Sequence, residues 1–152
     1  MEKKIVILLH PGLPYRKTIR YGNERARDMG AKLLLLSVIP DVSNSDNMSV
    51  AVYEFGPYEK VSNRMEQDIS GFLERAVQFC LDNGITAETR VEKGEIEEVI
   101  KKVVKDRNVR LVVVPTPTKE VHHAAFIEAI RDFAHNMLDH ELKCPVVSVL
   151  AT

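Results

Sequence analysis

The residues that could carry chemistry in this chain are its five histidines and a small set of serines and threonines. A metal site needs histidines that converge with a carboxylate. His122 and His123 are adjacent, so they point apart on a helix, while His135 and His140 are five residues apart and share a helical face poorly. The pattern favours histidines that face solvent or make single hydrogen bonds, and no bound metal is expected.

His10, the remaining histidine, follows directly after the first apolar run of the chain. A catalytic interpretation would pair it, as acid or base, with Thr116 or Thr118 across a crevice. The serines fit a nucleophile poorly, because Ser37 falls inside an apolar run and no G-x-S-x-G elbow occurs. The sequence therefore predicts no catalytic residues, with His10 ending a strand and capping a loop.

Short apolar runs alternate along the chain with longer segments of helical period. The predicted strands are 4–10, 32–38, 85–91, 110–115 and 145–151. The predicted helices are 15–29, 57–83, a third that begins after Gly94, and 120–141. The strand 85–91 alternates like a half-exposed edge strand, and Pro115 is expected to stop the fourth strand. This order predicts an α/β fold, with a parallel sheet covered by helices on both faces, in a single domain over 1–152.

Composition excludes several classes of protein. The chain has 21 basic and 22 acidic residues and a net charge of −1, so it lacks the basic stripe that nucleic-acid binding needs. The first apolar run is too short for a signal-peptide core or a membrane span. A cytoplasmic protein with neither a nucleic-acid nor a membrane partner is expected. Cys80 and Cys144 lie far apart in apolar contexts and predict buried free thiols.

Ligands of open parallel sheets bind beyond the carboxyl ends of the strands, at the point where the strand order reverses. The loops expected at that place are 10–15, 39–56 and 115–122. The stretch HPGLPY after the first strand is not a dinucleotide fingerprint, and the chain has no P-loop. The segment 40–56 is rich in Ser, Asn and Asp, and a loop of that length is expected to be functional or disordered.

Four stretches, in order and spacing, resemble the universal stress protein family over nearly the whole chain. They are KIVILLHPG, RARDMGAKLLLLSVIPD, KGEIEEVIKKVVKDRNVRLVVV and KCPVVSV. The resemblance implies a five-stranded parallel sheet of order 3-2-1-4-5, in a three-layer sandwich of the adenine nucleotide alpha hydrolase-like type. It also implies a homodimer built through the last strand.

Members of this family that bind ATP carry an acidic residue at the end of the first strand and a loop G-x2-G-x9-G-[S/T] after the fourth. The acidic position is His10 in this sequence, and the first two glycines fall on Pro115 and Thr118. The final pair falls near Asp132 and Phe133. Glycine lets backbone N–H groups approach a phosphate closely. The resemblance therefore implies a member with a degenerate ATP-binding motif and no cofactor.

No glycine follows Gly94, so a small shift of the alignment restores no phosphate loop. The sequence and the resemblance together predict a non-catalytic, dimeric stress-response or binding protein, with an unidentified protein partner. The resemblance implies where a ligand site would lie in this chain, but not the contacts that the family makes there. The residues of this site are His10, Pro11, Val38, Pro115, Thr116 and Thr118.

Two further expectations concern ligands and assembly. The alternative function is a small-molecule or nucleotide-binding protein, in which the turn PTPTKE and Lys119 would contact an anion through side chains. The closing run would be an edge strand without a lysine guard, so its unpaired backbone is a liability. Self-pairing of two copies through Val147 and Val149 would cover that edge.

Overall fold

The computed structural model of the chain describes residues 2–39, 58–117 and 144–151. The strands are β1 (Lys4–Leu9), β2 (Lys32–Ile39), β3 (Ala87–Lys93), β4 (Val109–Pro117) and β5 (Val146–Ala151). The helices are α1 (Arg16–Met29), α2 (Tyr58–Asp82) and α3 (Ile96–Val103). The predicted helix 120–141, the segment 40–56, Thr118 and Lys119 lie outside the described residues.

The five strands form one parallel sheet of order β3-β2-β1-β4-β5, which confirms the expected order. β1 lies in the middle and pairs with β2 from Lys4 opposite Lys32 to Leu9 opposite Ser37. On its other side β1 pairs with β4 as far as Ile7 opposite Val113. The chain therefore leaves β1 towards one edge of the sheet and later returns to the other edge.

Two hydrophobic clusters cover the two faces of the sheet, because successive residues of a strand point to opposite faces. Ile5, Ile7 and Leu9 belong to the cluster that includes residues of α1 and α2, called here the α1/α2-side cluster. Val6 and Leu8 belong to the cluster that includes α3, called here the α3-side cluster. The helical residues of the α3-side cluster are Ile96, Val99, Ile100 and Val103. Helices thus lie on both faces, as predicted.

The bounds of β3 differ from the prediction, which placed this strand at 85–91. The Ile85 N–H donates to the Cys80 carbonyl at 2.8 Å and closes the last turn of α2. Gly84, at φ +68°, makes this turn possible. Ile85 is therefore used to end the helix, and β3 begins at Ala87. Its predicted exposure as an edge strand is confirmed.

α1 approaches the sheet closely at Gly22. A Cβ atom on Gly22 would collide with Ile7 Cδ1 and would lie 3.0 Å from Ile7 Cγ1. Ile7 is buried in the centre of the sheet, so its side chain has no solvent space into which to move. The missing side chain at Gly22 therefore sets the distance between α1 and β1.

Replacement of Gly22 by valine is expected to lower the free energy of unfolding by roughly 1–3 kcal/mol, because it overpacks the contact with Ile7. Gly71→Val in α2 is the matched control. The nearest atom there is Arg75 Nη1 at 3.6 Å, so this change should stay within about 0.5 kcal/mol. Urea unfolding followed by circular dichroism measures both. Equal losses in the two variants would contradict this account of the contact.

Candidate functional site

A gap opens between β1 and β4 at the carboxyl ends of the strands. The paired register of these strands ends at Ile7 and Val113, whereas β4 goes on pairing with β5 as far as Pro117 opposite Ala151. This gap, called here the β1–β4 crevice, lies where the connections of the sheet diverge to opposite edges. Parallel α/β sheets bind ligands at such a point.

Two prolines form the β4 side of the crevice. The Val112 N–H donates to the Pro145 carbonyl at 3.0 Å, towards β5. Backbone groups alternate in direction along a strand, so positions 113, 115 and 117 face β1. Pro115 and Pro117 therefore lack an N–H only on the side of β4 that faces the crevice. The hydrogen bonds between β4 and β5 are unaffected, because residues 115 and 117 do not donate to β5. The prediction that Pro115 stops the strand is wrong for this reason.

His10 ends β1 at the rim of the crevice and organises the turn that follows. Its Nδ1 accepts a hydrogen bond from the Gly12 N–H at 3.1 Å, and its carbonyl accepts one from the Leu13 N–H at 2.9 Å. Pro11 is exposed within this turn. Burial of the imidazole lowers the pKa of His10 to about 4, so the ring is neutral at pH 7. The predicted role of His10 as the cap of the loop is confirmed by these bonds.

Leu13, which the sequence analysis did not single out, packs beneath the same rim. Its side chain is 3% exposed and belongs to the α3-side cluster together with Val38 and Val114. These two residues lie near the carboxyl ends of β2 and β4. An apolar side chain from the first loop therefore occupies the core at the end of the sheet where the crevice lies.

Val38 and Thr116 lie on the face that carries the α3-side cluster, as does His10 by the alternation of β1. Val38 is buried. Thr116 Oγ1 is buried as well and makes no hydrogen bond to any described residue. The structure thus brings His10, Val38, Pro115 and Thr116 to one end of the sheet, where the ligand site is expected.

The first turn of α1 is basic and has no acidic residue. The Arg16 and Arg20 guanidinium groups lie over the Phe79 ring of α2, at 5.9 and 5.4 Å from its centre. Tyr15 contacts the same ring edge-on at 5.8 Å. These cations therefore join α1 to α2.

Comparisons with known proteins agree on the fold. No family model matches the sequence, and no curated protein matches it significantly. A universal stress protein from Lactobacillus plantarum superposes with a TM-score of 0.67 at 15% identity, covering 97% of each chain. The chain has the fold of the universal stress proteins. This confirms the resemblance noted from the sequence at the level of structure.

Two other solved universal stress proteins carry nucleotides. One, solved in complex with cAMP, superposes with a TM-score of 0.63 at 16% identity, covering 99% of this chain and 98% of its own. One from Arabidopsis thaliana, solved with AMP bound, gives a TM-score of 0.58 at 16% identity, covering 99% and 92%. The universal stress protein fold thus includes chains that hold adenine nucleotides.

Within the described ranges, no group of three or more His, Cys, Asp or Glu side chains is placed to hold a metal ion. Among the same residues, no helix is long and apolar enough to cross a membrane.

The neutral state of His10 predicts a pH-dependent stability. Its pKa is lowered from 6.5 in the unfolded chain to about 4 in the fold, so the unfolded state binds more protons between these values. The free energy of unfolding should therefore fall on acidification from pH 6.5 to pH 4, by at most about 1.4 kcal/mol per pH unit from this group.

The variant His10→Asn keeps an acceptor for the Gly12 N–H but does not titrate. Urea unfolding of both proteins at several pH values between 7.5 and 4.5 isolates the contribution of the imidazole. The stability of the wild type should fall more steeply than that of the variant, and parallel curves would disprove the assignment.

Proposed function

We propose that this protein is a dimeric, non-catalytic binding protein of the universal stress type, a single domain over 1–152, which acts in the cytoplasm through a protein partner and does not bind ATP. The observation that carries the proposal is that the described residues of the β1–β4 crevice carry no charge and offer no N–H at two positions of β4. His10 is uncharged, Pro115 and Pro117 have no N–H, and Leu13 occupies the core beneath.

A polyphosphate is held by backbone N–H groups and cations that point at its oxygens. The β4 side of the crevice offers no N–H at Pro115, where the resemblance places the first glycine of the ATP loop. His10 stands where ATP-binding relatives carry an acid, and at pH 7 it supplies neither a negative nor a positive charge. These two differences remove contacts to the nucleotide that the resemblance implies for ATP-binding members, while the fold itself is kept.

The described residues also support the non-catalytic part of the proposal. The Ser37 hydroxyl is buried and donates to the Leu9 carbonyl at 3.1 Å, so it is committed to holding β2 against the end of β1. Burial raises the pKa of the Cys80 and Cys144 thiols, which keeps both protonated near neutral pH. A thiol of this kind is a poor nucleophile.

Equilibrium dialysis with labelled ATP and Mg²⁺ tests the absence of ATP binding. We expect no retention at micromolar nucleotide, because Pro115 and Pro117 offer the phosphates no N–H on the side of β4 that faces β1. The universal stress protein that was solved with cAMP, dialysed against labelled cAMP, is the positive control for the method. Micromolar retention of ATP by this protein would refute the proposal.

A second candidate function is favoured by Thr116, whose buried Oγ1 has no described partner. A buried hydroxyl without a partner destabilises the fold, and a ligand with a hydrogen-bonding group would relieve that cost. The ligand would be a small molecule or nucleotide held without the glycine loop, as the PTPTKE turn allows. The complexes of similar folds with cAMP and AMP support a nucleotide as the kind of ligand.

Native mass spectrometry of the freshly purified protein separates the two candidates. A ligand held through Thr116 would appear as added mass in the wild type and would be lost in the isosteric variant Thr116→Val. Under the leading proposal neither protein carries added mass. The variant is then at least as stable as the wild type, because a methyl group replaces an unpaired hydroxyl.

The dimer is proposed to form through β5, which lies at one edge of the sheet. Val147 and Val149 are half-buried against the α1/α2-side cluster, and Leu150 is 60% exposed. Pro145 faces β4, so by alternation Ser148 and Leu150 direct their backbone groups to the open edge. A second copy paired there would cover the exposed Leu150 on one face of the sheet and extend the face that carries the two valines on the other.

Leu150→Lys is expected to convert the dimer into a monomer at micromolar concentration, because it places a charge in the paired edge. Leu81→Lys is the matched control, since Leu81 is 66% exposed and belongs to α2. Light scattering measures both masses. A wild type that is monomeric, or a control that dissociates equally, would count against β5 as the interface.

A further inference from the structure

The opposite edge of the sheet is formed by β3, which pairs with β2 alone. The Gly94 N–H donates to the Ile39 carbonyl at 2.9 Å, so Gly94 faces β2. By alternation, Thr89, Val91 and Lys93 direct their backbone N–H and C=O groups away from the sheet. This row of unpaired groups, called here the β3 edge, is a template for another strand.

A groove runs beside the β3 edge, between α2 and the ends of β2 and β3. Its volume is about 690 Å³. The apolar residues that line it are Ile39, Ile69, Leu73, Val77 and Val91. Val91 is 44% exposed, which is unusual for a valine on a sheet face. Glu66 and Glu74 also line the groove, and neither forms a salt bridge with a described residue.

The other face of β3 carries charges that alternate in sign. Glu88, Arg90 and Glu92 are spaced by two residues and so share this face. The Glu92 carboxylate lies 3.5 Å from Lys102 Nζ of α3. Charges of one sign would repel a second copy, whereas this pattern complements itself when the strand is reversed.

We propose that the β3 edge is an interface between two copies of this chain, paired antiparallel with Val91 opposite Val91. In this register Arg90 of each copy lies opposite Glu92 of the other, which makes two cross-strand ion pairs. The two exposed valines cover each other at the mouth of the groove. Lys93 lies opposite Thr89 of the other copy, on the face where the groove carries Glu66 and Glu74, which form no salt bridge within the described part of the chain.

Neighbouring registers fit less well. Centring the pair on Arg90 sets Arg90 against Arg90 and Glu88 against Glu92, and like charges directly opposite each other are destabilising. Centring it on Thr89 pairs the charges but places Val91 opposite Ala87, so the two exposed valines no longer cover each other. The register centred on Val91 therefore satisfies the backbone, the exposed valine and the charges together. This inference depends on neither the crevice nor the β5 interface.

Cysteine cross-linking tests the register. In Val91→Cys the two new thiols lie opposite each other, with Cα atoms about 5.5 Å apart, within the range of a disulfide. Glu88→Cys is the matched control on the same exposed strand, because its own copy lies about 20 Å away in this register. Cys80 and Cys144 are buried and should not compete. Mild oxidation should give a covalent dimer of Val91→Cys and none of Glu88→Cys.

Charge reversal tests the pairing independently in a Leu150→Lys background, where the β5 edge is blocked, at concentrations well above the micromolar range in which that variant is expected to be monomeric. Arg90→Glu should weaken the self-association seen by sedimentation roughly tenfold, and Arg90→Glu combined with Glu92→Arg should restore it. Equal cross-linking of the two cysteine variants, or a monomeric Leu150→Lys protein at all concentrations, would overturn the proposal. Even in that case, the mass of the Leu150→Lys protein would still test the proposed β5 interface, because the two proposals do not depend on each other. The proposal would also be overturned if the β3 edge bound an added basic peptide but did not pair with a second copy of the chain.

Discussion

The burial of β1 on both faces is the constraint on which the rest of the structure depends. Five consecutive apolar residues, from Ile5 to Leu9, are closed off from water, and each face requires its own helical layer. A strand buried in this way must be central, so strands must flank it on both sides. Gly22 lets α1 approach near enough to close one face over Ile7. The sites proposed here for ligand binding and self-association are the residues just after Leu9 and the two outer edges of the sheet.

The layered α/β architecture could be predicted from the residues alone, because continuous apolar runs and helical periods alternate without ambiguity. The strand order could not, since alternation does not say on which side of β1 each later strand is added. That order came from the resemblance to the universal stress proteins. The bounds of β3 were wrong because Ile85, an apolar residue before an alternating run, is used to end α2.

The composition of the crevice could be predicted in part. The resemblance to the universal stress proteins implies that His10 and Pro115 stand at positions which differ from those of ATP-binding members, and this difference can be seen in the sequence. The direction of the prolines could not, because it depends on which neighbour the alternating N–H groups of β4 face. Leu13 was missed because a leucine in a short loop gives no periodic signal. The lack of a hydrogen-bond partner for Thr116 Oγ1 among the described residues is a property of packing, which no sequence pattern reports.

Pro115 and Pro117 have one further consequence for the β1–β4 crevice. In most sheets, two strands that separate keep the N–H groups with which they could pair again. The width of the gap between them therefore depends on packing and on what fills it. Here the donors are absent from the covalent structure of β4 on the side that faces β1. The carbonyls of Pro115 and Pro117 can still accept hydrogen bonds from β1, but no hydrogen bond can be donated by these two residues to β1. The residues of β4 themselves therefore favour the opening, whatever lines it.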